Sequence, residues 1–501
     1  MGSMTLHAPA SERTRLIMVF TLAAAVLLAA LDQTVVATAL PVIAHGFGSL
    51  DTMPWVVASY LMAATLVVPV TGRVIDRYGA RRVFGLSFVL FLAGSLGCGI
   101  APTAWLLVIA RTVQGCGGGA VGTAALTMVS GLAGRGRLGR YQSYFGLLFG
   151  FASVVGPGLG GVITTALGWR WIFYLNVIAG VIILGLAQVP KATPQRQGPS
   201  VNYVNLSVLT VALCALVAVS IWGPTADRPT LLAWAALGVV FVLLFLVAER
   251  RSSTPLVATE VLRLPAVAVA ALVGFLAAMG LFTVITYLPS MFQMASAKSP
   301  AGAGVLMIPL MVAVVISSLW AGREVDRRGH PWRFIASGTA LAGGILIIVT
   351  LIGPRVPGLV IMACGVVFGL GIGMVMQMII VSAQRAATPQ TVGAATATVV
   401  FLRSVGSLFG VAVLGGLFTA LVSHGIDGTG ARISASDTTD PAALRALPPE
   451  VRSHVIEVVG HSYQVVFGIG SAILLAASAI SWVRVRQTRG PEGSASETGA
   501  R

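Results

Sequence analysis

Apolar segments long enough to cross a lipid bilayer recur along the whole of this sequence. A helix needs about 20 mainly apolar residues to span the hydrocarbon core of a membrane. Only 10% of the 501 residues are charged, whereas soluble globular domains carry about 25%. The chain is therefore predicted to be an all-α polytopic membrane protein with fourteen spans. These are 14–41, 53–72, 82–101, 104–130, 139–165, 171–190, 202–222, 231–249, 265–291, 301–321, 334–352, 358–383, 395–421 and 464–484.

The net charge of +16 does not point to a nucleic-acid partner, because the basic residues lie in short clusters between apolar segments rather than in one patch. Lys and Arg concentrate in alternate loops, starting from the N-terminus, which is the bias of cytoplasmic loops. We therefore expect both termini in the cytoplasm. The excess of arginine over lysine, with abundant alanine and glycine, is typical of a GC-rich bacterium and indicates a bacterial cytoplasmic (inner) membrane.

An internal repeat divides the chain. GRVIDRYGARR begins at Gly72, and the related GREVDRRGH begins at Gly322, each after an even-numbered span. A parallel duplication of six helices explains this pattern. We predict an N-terminal six-helix bundle (1–190), two inserted helices with cytoplasmic linkers (191–264), a C-terminal six-helix bundle (265–487) and a cytoplasmic tail (488–501). A long extracellular loop (422–463) is expected to be either a solvated cap or a partner-binding module.

Asp32 is the one carboxylate placed deep within a predicted span, in the segment LDQTVVATALP at 31–41. It lies about 25 Å along the helix from Arg15, inside a hydrocarbon layer of about 30 Å. A charged group there is costly and normally faces a protein cavity. Asp32 is thus a candidate functional residue, and the alternative is an acid buried structurally against an arginine.

Arg111, in the segment ARTVQGCGGGAV, is a charged residue within the fourth predicted span. A guanidinium inside the membrane needs a partner or water. It can act on Asp32 directly, or through water and Gln114. Alternatively, it only binds backbone carbonyls of neighbouring helices. The glycines that follow allow close helix contact.

The fifth span carries GFASVVGPGLGG, followed by the aromatic segment WRWIFYLNV. With LDQTVVATALP, the loop 72–82 and ARTVQGCGGGAV, these motifs resemble the major facilitator superfamily, and specifically its fourteen-helix drug:proton antiporter branch. The resemblance covers nearly the whole chain. It implies the major facilitator fold, with two six-helix bundles plus two inserted transmembrane helices.

The resemblance also implies roles for particular residues. Asp32 and Arg111 are expected to couple transport to protons. The charged loops are expected to pair acids with neighbouring arginines at a cytoplasmic gate that comprises Gly72, Asp76, Arg77, Gly79, Arg81, Arg82, Gly322, Asp326, Arg327 and Gly329. The antiporter motif, which is typical of exporters, comprises Gly150, Gly156, Pro157, Gly158, Gly160 and Gly161.

Polar, aromatic and methionine side chains in spans expected to line the centre are candidates for substrate binding. Such walls adapt to varied apolar shapes, and aromatic rings hold cations. For each of them, plain helix packing is the alternative. The candidates are Gln33, Tyr60, Gln114, Tyr144, Phe145, Tyr287, Gln293, Met376 and Gln377.

Some positions depart from the pattern of the branch. The second loop has His330 where the first has Ala80, and the seventh span begins with Asn202 where the branch often has an acid. No second carboxylate lies deep in a predicted span, which leaves recognition of multivalent cations open. The four cysteines lack metal-site spacing, and we expect no metal and no cofactor.

The resemblance implies a proton-coupled antiporter that exports amphipathic, cationic drugs or toxic compounds by alternating access. Its expected partners are a small substrate, protons and the lipid bilayer, and a monomer is expected. One alternative is an exporter of a lipid or an endogenous metabolite on the same fold, and another is a receptor or scaffold without transport. We expect no enzyme, because no nucleotide loop, metal cluster or catalytic triad has workable spacing.

Overall fold

The computed structural model describes residues 12–47, 53–133, 136–186, 202–222, 228–252, 254–296, 300–352, 357–426 and 448–487. These ranges form helices and contain no strand. The helices are α1 Glu12–Phe47, α2 Met53–Tyr78, α3 Ala80–Ile100, α4 Ala104–Ala133, α5 Leu138–Ala166, α6 Arg170–Leu186, α7 Tyr203–Trp222, α8 Arg228–Arg251, α9 Thr259–Leu262, α10 Pro265–Ser296, α11 Pro300–Arg328, α12 Pro331–Ile352, α13 Gly358–Met376, α14 Met378–Ala386, α15 Val392–Ile426 and α16 Pro449–Gln487.

The helices confirm the predicted all-α membrane fold. Eleven segments in the described ranges are long and apolar enough to cross a bilayer, and α6 and α7 are shorter apolar helices. Helix α4, which carries Arg111, has 30 residues. Helices α13 and α14 together make one crossing that is interrupted at Gln377. Each of the fourteen predicted spans therefore coincides with a helix or with this helix pair.

The predicted loop 422–463 is wrong at both ends, because α15 continues to Ile426 and α16 begins at Pro449 and runs for 39 residues. Its first turns carry apolar residues four apart, and Val455, Val459 and Tyr463 are buried. Average hydropathy missed this part of the helix because polar residues cover its other face. The segment 427–447 lies outside the described residues.

The chain forms two compact units, Met1–Gly198 and Pro199–Arg501. The first contains α1–α6. The second contains α7–α16, so the inserted pair α7 and α8 is grouped with the C-terminal bundle. Helix α7 packs on α8 and on α15, while α8 exposes a row of leucines and valines. An apolar exposed surface suits a helix that faces lipid.

Each unit repeats the same close helix contact. In the first unit, Gly115 and Gly119 of α4 lie against the backbone of α2, where a Cβ atom would clash. In the second unit, Gly369 and Gly373 of α13 lie in the same way against the backbone of α11. Small residues allow such close packing between membrane helices. The shared contact is what a duplicated six-helix unit would retain.

The repeated cytoplasmic loops also fold alike. Gly79 and Gly329 both have positive φ angles, of 85° and 77°. Each N–H group donates to a carbonyl four residues earlier, Ile75 at 2.8 Å and Val325 at 2.9 Å. A glycine in this conformation ends a helix at low cost. These two motif glycines therefore stop α2 and α11 at the membrane surface.

Candidate functional site

Asp32 and Arg111 form an ion pair inside the first unit. Arg111 Nη1 lies 2.5 Å from Asp32 Oδ2. The side chains are 0% and 2% exposed, respectively, so the pair is shielded from water on every side. Helix α1 supplies the carboxylate and α4 supplies the guanidinium. The structure thus brings together the two deep charges that stood out in the sequence.

Two amides complete the shell around the carboxylate. Gln114 Nε2 and Asn176 Nδ2 both donate to Asp32 Oδ1, at 2.9 and 2.6 Å. Arg111 Nη1 also donates to Gln114 Oε1 at 2.7 Å, which fixes the direction of that amide. Asp32 therefore accepts three hydrogen bonds from three side chains, out of about four positions that a carboxylate offers.

A second layer holds the first in place. Arg111 Nε donates to the Val56 carbonyl at 3.3 Å, and its guanidinium lies 4.3 Å from the centre of the Tyr60 ring. Gln114 Nε2 also donates to Ser95 Oγ at 2.8 Å. Arg111 thus contacts Asp32 directly and also binds a backbone carbonyl, so the alternative that it binds only carbonyls is wrong. Helices α1, α2, α3, α4 and α6 all contribute to the network.

Close helix packing makes this network possible. Gly94 of α3 lies so near the backbone of Gln114 that a Cβ atom would come within 2.5 Å of the Gln114 Cα atom. Gly115 and Gly117 of α4 approach α2 and α3 equally closely. The short distances between backbones allow the amide and the guanidinium to reach Asp32 across several helices.

Asp32 and Arg111 neutralise each other within the network. The buried carboxylate is stable because a cation and two amide donors replace its water shell. A carboxyl group without its charge would lose the attraction to Arg111 and would offer a donor in place of one acceptor oxygen.

A cavity of about 370 Å³ adjoins this network. It lies within the first unit, between α1, α5 and α6. Asp32 and Asn176 are its polar lining residues, and the others are aliphatic: Leu28, Leu31, Val35, Leu159, Ile163, Ile172, Leu175, Ile178, Ala179 and Ile182.

The motif glycines of α5 divide into two groups. Gly156 and Gly160 lie against α1 at Thr34 and Val35, where a Cβ atom would clash. Thr34 Oγ1 also donates to the Ala152 carbonyl of α5, at 3.1 Å. Thus only part of the motif packs the helix that carries Asp32. Gly150 is buried as well, whereas Pro157, Gly158 and Gly161 are exposed.

The charged loop of the second unit forms a contact that we did not predict. Arg385, at the end of α14, lies 3.7 Å from Asp326 and donates to the Gly329 carbonyl at 3.3 Å. Glu324 pairs with Arg328. Asp326 thus contacts an arginine from another helix. Elsewhere in the predicted gate, Gly72 and Gly322 are buried, Asp76, Arg77, Gly79 and Arg81 are half-buried, and Arg82 and Arg327 are exposed.

The predicted substrate-binding residues are dispersed. Tyr60 and Gln114 belong to the Asp32 network. Tyr287 stacks in an aromatic cluster, with ring centroids 5.0 Å from Phe418 and 6.3 Å from Tyr463. In the described part of the chain, none of the nine lines the cavity beside Asp32. Of the rest, Gln33, Tyr144 and Met376 are half-buried, Phe145 and Gln377 are buried, and the Gln293 side chain lies outside the described residues.

Comparison with known families settles the class of protein. Residues 22–411 match the family model described as Major Facilitator Superfamily. The chain belongs to the major facilitator superfamily. Members of this superfamily are membrane transporters rather than enzymes, and the resemblance carried by the sequence motifs is confirmed.

Sequence relatives of this transporter include a named multidrug transporter. It is 30% identical to the multidrug transporter protein MdtP of Bacillus subtilis (strain 168), with 82% of this chain and 76% of the relative covered. It is 31% identical to the uncharacterized MFS-type transporter Rv1877 of Mycobacterium tuberculosis (strain ATCC 25618 / H37Rv). That alignment covers 88% of this chain and 65% of the relative's length, so this chain spans slightly less than two thirds of that relative.

Solved structures share the fold of this transporter. The proton:xylose symporter XylE superposes with a TM-score of 0.64 at 15% identity, over 94% of this chain and 96% of that chain. At such low identity the similarity concerns the fold alone. It confirms that the two six-helix bundles have the architecture of the superfamily.

Three residues of this transporter were missed by sequence reasoning. Asn176 and Ser95 are uncharged and lie in apolar helices, and Arg385 is one of many arginines outside the predicted spans. Asn176 had a weak signal, since it is the one amide in α6. Nothing in its spacing indicates that it reaches Asp32, because this contact joins residues 144 positions apart in the chain.

Proposed function

We propose that this transporter is a proton-coupled antiporter that exports amphipathic, cationic drugs or other toxic compounds across the bacterial cytoplasmic membrane by alternating access. The observation that carries the proposal is the buried pair of Asp32 and Arg111, held by Gln114 and Asn176. The names of two relatives, a multidrug transporter at 30% identity and a multidrug resistance protein at 28% identity, support drugs as the cargo.

The proposed cycle uses Asp32 as the coupling group. In the outward-facing state Asp32 takes up a proton, its attraction for Arg111 falls, and the cargo leaves. In the inward-facing state Asp32 releases the proton, and the site accepts new cargo. The exchange of one proton for one monovalent cation is electroneutral, whereas a neutral cargo would also use the membrane potential, at about 2.3 kcal/mol per charge per 100 mV.

Other parts of the proposal concern assembly and topology. We place both termini in the cytoplasm, on the basis of the arginine bias between alternate loops. We expect a monomer that needs no cofactor, since the proton gradient supplies the free energy. The contact between Arg385 and Asp326 would form part of the cytoplasmic gate, because it ties the loop after α11 to the end of α14.

The test is the substitution Asp32→Asn in reconstituted vesicles. Asparagine has nearly the same shape but cannot titrate, so a pH gradient should no longer drive cargo accumulation. Exchange of labelled for unlabelled cargo at equal pH should persist and show that the variant is folded. Glu260→Gln, the same chemical change at an exposed acid in α9, should behave like the wild type.

The outcomes separate the candidate functions. Gradient-driven accumulation by Asp32→Asn at the wild-type rate would contradict the role of Asp32. Wild-type protein that moves a labelled phospholipid but no cationic dye would favour the lipid exporter. A ligand that binds but never accumulates under any gradient would favour the receptor.

A further inference from the structure

The cavity between α1, α5 and α6 has the size of a ligand site. Its volume of about 370 Å³ lies within the range of about 300–1,000 Å³ that small-molecule sites occupy. It is formed by the first unit alone. Its walls are aliphatic, apart from Asp32 and Asn176. This composition suits the apolar body of a small molecule with one polar group.

The rim of the cavity faces lipid. Ile178 and Ile182 of α6 line the cavity and are 51% and 60% exposed, and Leu159 of α5 lines it and is also exposed. Such large exposed aliphatic side chains on membrane-spanning helices belong in the hydrocarbon layer. A molecule would therefore reach this cavity from the bilayer rather than from water.

The polar end of the cavity offers a hydrogen-bond acceptor. The Asp32 side chain is fully enclosed, and Asn176 uses its Nδ2 atom to donate to Asp32. Among the described residues, no donor reaches Oδ1, the other polar atom of this amide. The Oδ1 atom is also not fully buried. The Asn176 carbonyl oxygen is thus the acceptor that a ligand can reach.

We infer that this cavity binds a lipophilic amine that enters from the bilayer, with its apolar body between α1, α5 and α6 and its N–H group donated to Asn176 Oδ1. The inference rests on the proposed export of amphipathic cations and names the chemical class and the route of one cargo. It applies to protonated amines that retain an N–H bond.

Two competing occupants satisfy the site less well. A quaternary ammonium has no N–H bond to donate to Asn176 Oδ1, so it would lose hydration in the cavity without gaining a hydrogen bond. A lipid acyl chain fills apolar volume but leaves the Asn176 oxygen without a donor. A desolvated polar group without a partner is costly, which favours the amine.

The experiment measures binding to the full-length protein in nanodiscs at pH 7 without any gradient. The probes are N,N-dimethyl-1-naphthylmethylamine, which is protonated at this pH, and its N-methyl quaternary derivative. They share the same ring system and charge but differ in the N–H bond. Fluorescence anisotropy of the naphthyl group reports binding, and empty nanodiscs correct for partition into lipid.

Variants place bulk inside and outside the cavity. Ala179→Phe and Ile178→Trp both enlarge side chains that line it. Val181→Phe is the matched control, because Val181 lies on the same helix, is 59% exposed and does not line the cavity. Thermal unfolding of each variant checks that it is folded. Two variants that fill the cavity are used so that the test remains possible if one of them does not fold.

We expect the tertiary amine to bind the wild type at least about tenfold more tightly than the quaternary probe, as the loss of one charged hydrogen bond predicts. Both filling variants should weaken its binding at least about tenfold, while Val181→Phe stays within about twofold. Equal Kd values for the two probes, or tertiary-amine binding that survives both filling variants, would overturn the inference. No gradient is applied in this binding experiment, so its result does not test proton-coupled export. The vesicle assay tests that proposal separately.

Discussion

At the scale of single residues, the transporter keeps one carboxylate deep in its first unit and satisfies it completely. Asp32 receives a guanidinium and two amide donors from two other helices, α4 and α6. Such a pair adds little net stability over apolar residues, yet it becomes expensive when one partner is lost. The stability of the pair is therefore sensitive to the loss of charge on Asp32, which the binding of a proton would cause.

This cost predicts a non-additive pair of substitutions. Arg111→Leu should lower the free energy of unfolding by about 3–5 kcal/mol, because it leaves a buried carboxylate without its cation. Adding Asp32→Asn to Arg111→Leu should restore part of that loss. Unfolding in mixed micelles measures both, and Arg263→Leu, which removes an exposed arginine, should change stability by less than about 1 kcal/mol. Strictly additive effects of the two buried substitutions would argue against a coupled pair.

The two charges could be predicted from the sequence, but the amides could not. Asp32 and Arg111 stand out because a charge within an apolar span is rare and costly. Asn176 and Ser95 carry no charge, and polar groups of this kind often satisfy themselves within their own helix. Only the packing of α3 and α6 shows that both point toward the same network.

At the scale of helices, the contact between α1 and α5 depends on glycines, and only some of them matter. Gly160 lies where a Cβ atom would come 2.7 Å from the Val35 carbonyl oxygen, whereas a Cβ atom on the adjacent Gly161 would meet nothing within 4 Å. The glycine-rich motif is typical of close helix contact, but the sequence does not distinguish the glycines that pack against α1 from those that do not. The rotation of α5 about its own axis decides which ones pack.

These neighbours make a matched pair of substitutions. Gly160→Ala should lower the free energy of unfolding by about 1–3 kcal/mol, because a backbone carbonyl cannot rotate away from the added methyl group. Gly161→Ala should leave it unchanged or raise it by up to about 1 kcal/mol, since alanine favours the helix. Unfolding in mixed micelles, with cargo exchange as a check on function, compares the two. The prediction is wrong if both variants lose the same stability.

The start of α16 was also not predicted from the sequence. The start of α16 was placed in a loop, because residues 449–463 alternate charged and apolar residues. Its buried stripe of Val455 and Val459 packs beside α15, where His454 Nε2 lies 3.0 Å from the Gly425 carbonyl oxygen. Tertiary contact stabilises a helical extension there that average hydropathy does not detect.

At the scale of the whole molecule, the two units repeat the same helix packing. The glycine contact of α4 on α2 recurs as α13 on α11, and both cytoplasmic loops end a helix on a glycine with positive φ. The repeated loops made this duplication predictable from the sequence. Ion pairs of the described residues include two near the charged loop of the second unit, on α11 and α14, and one between Asp32 and Arg111 in the first unit.

Asp32 lies in the first unit, which is where the proposed proton coupling would take place. The central claim is that cargo and a proton compete through Asp32, and linkage requires that each weakens the binding of the other. The most direct measurement is proton release when a cargo identified in the vesicle assay is added to purified transporter in weakly buffered detergent solution. We predict that the wild type releases protons in proportion to the cargo bound, and that Asp32→Asn binds cargo without release. Equal release from both proteins, or cargo binding to the wild type with no release, would contradict the account.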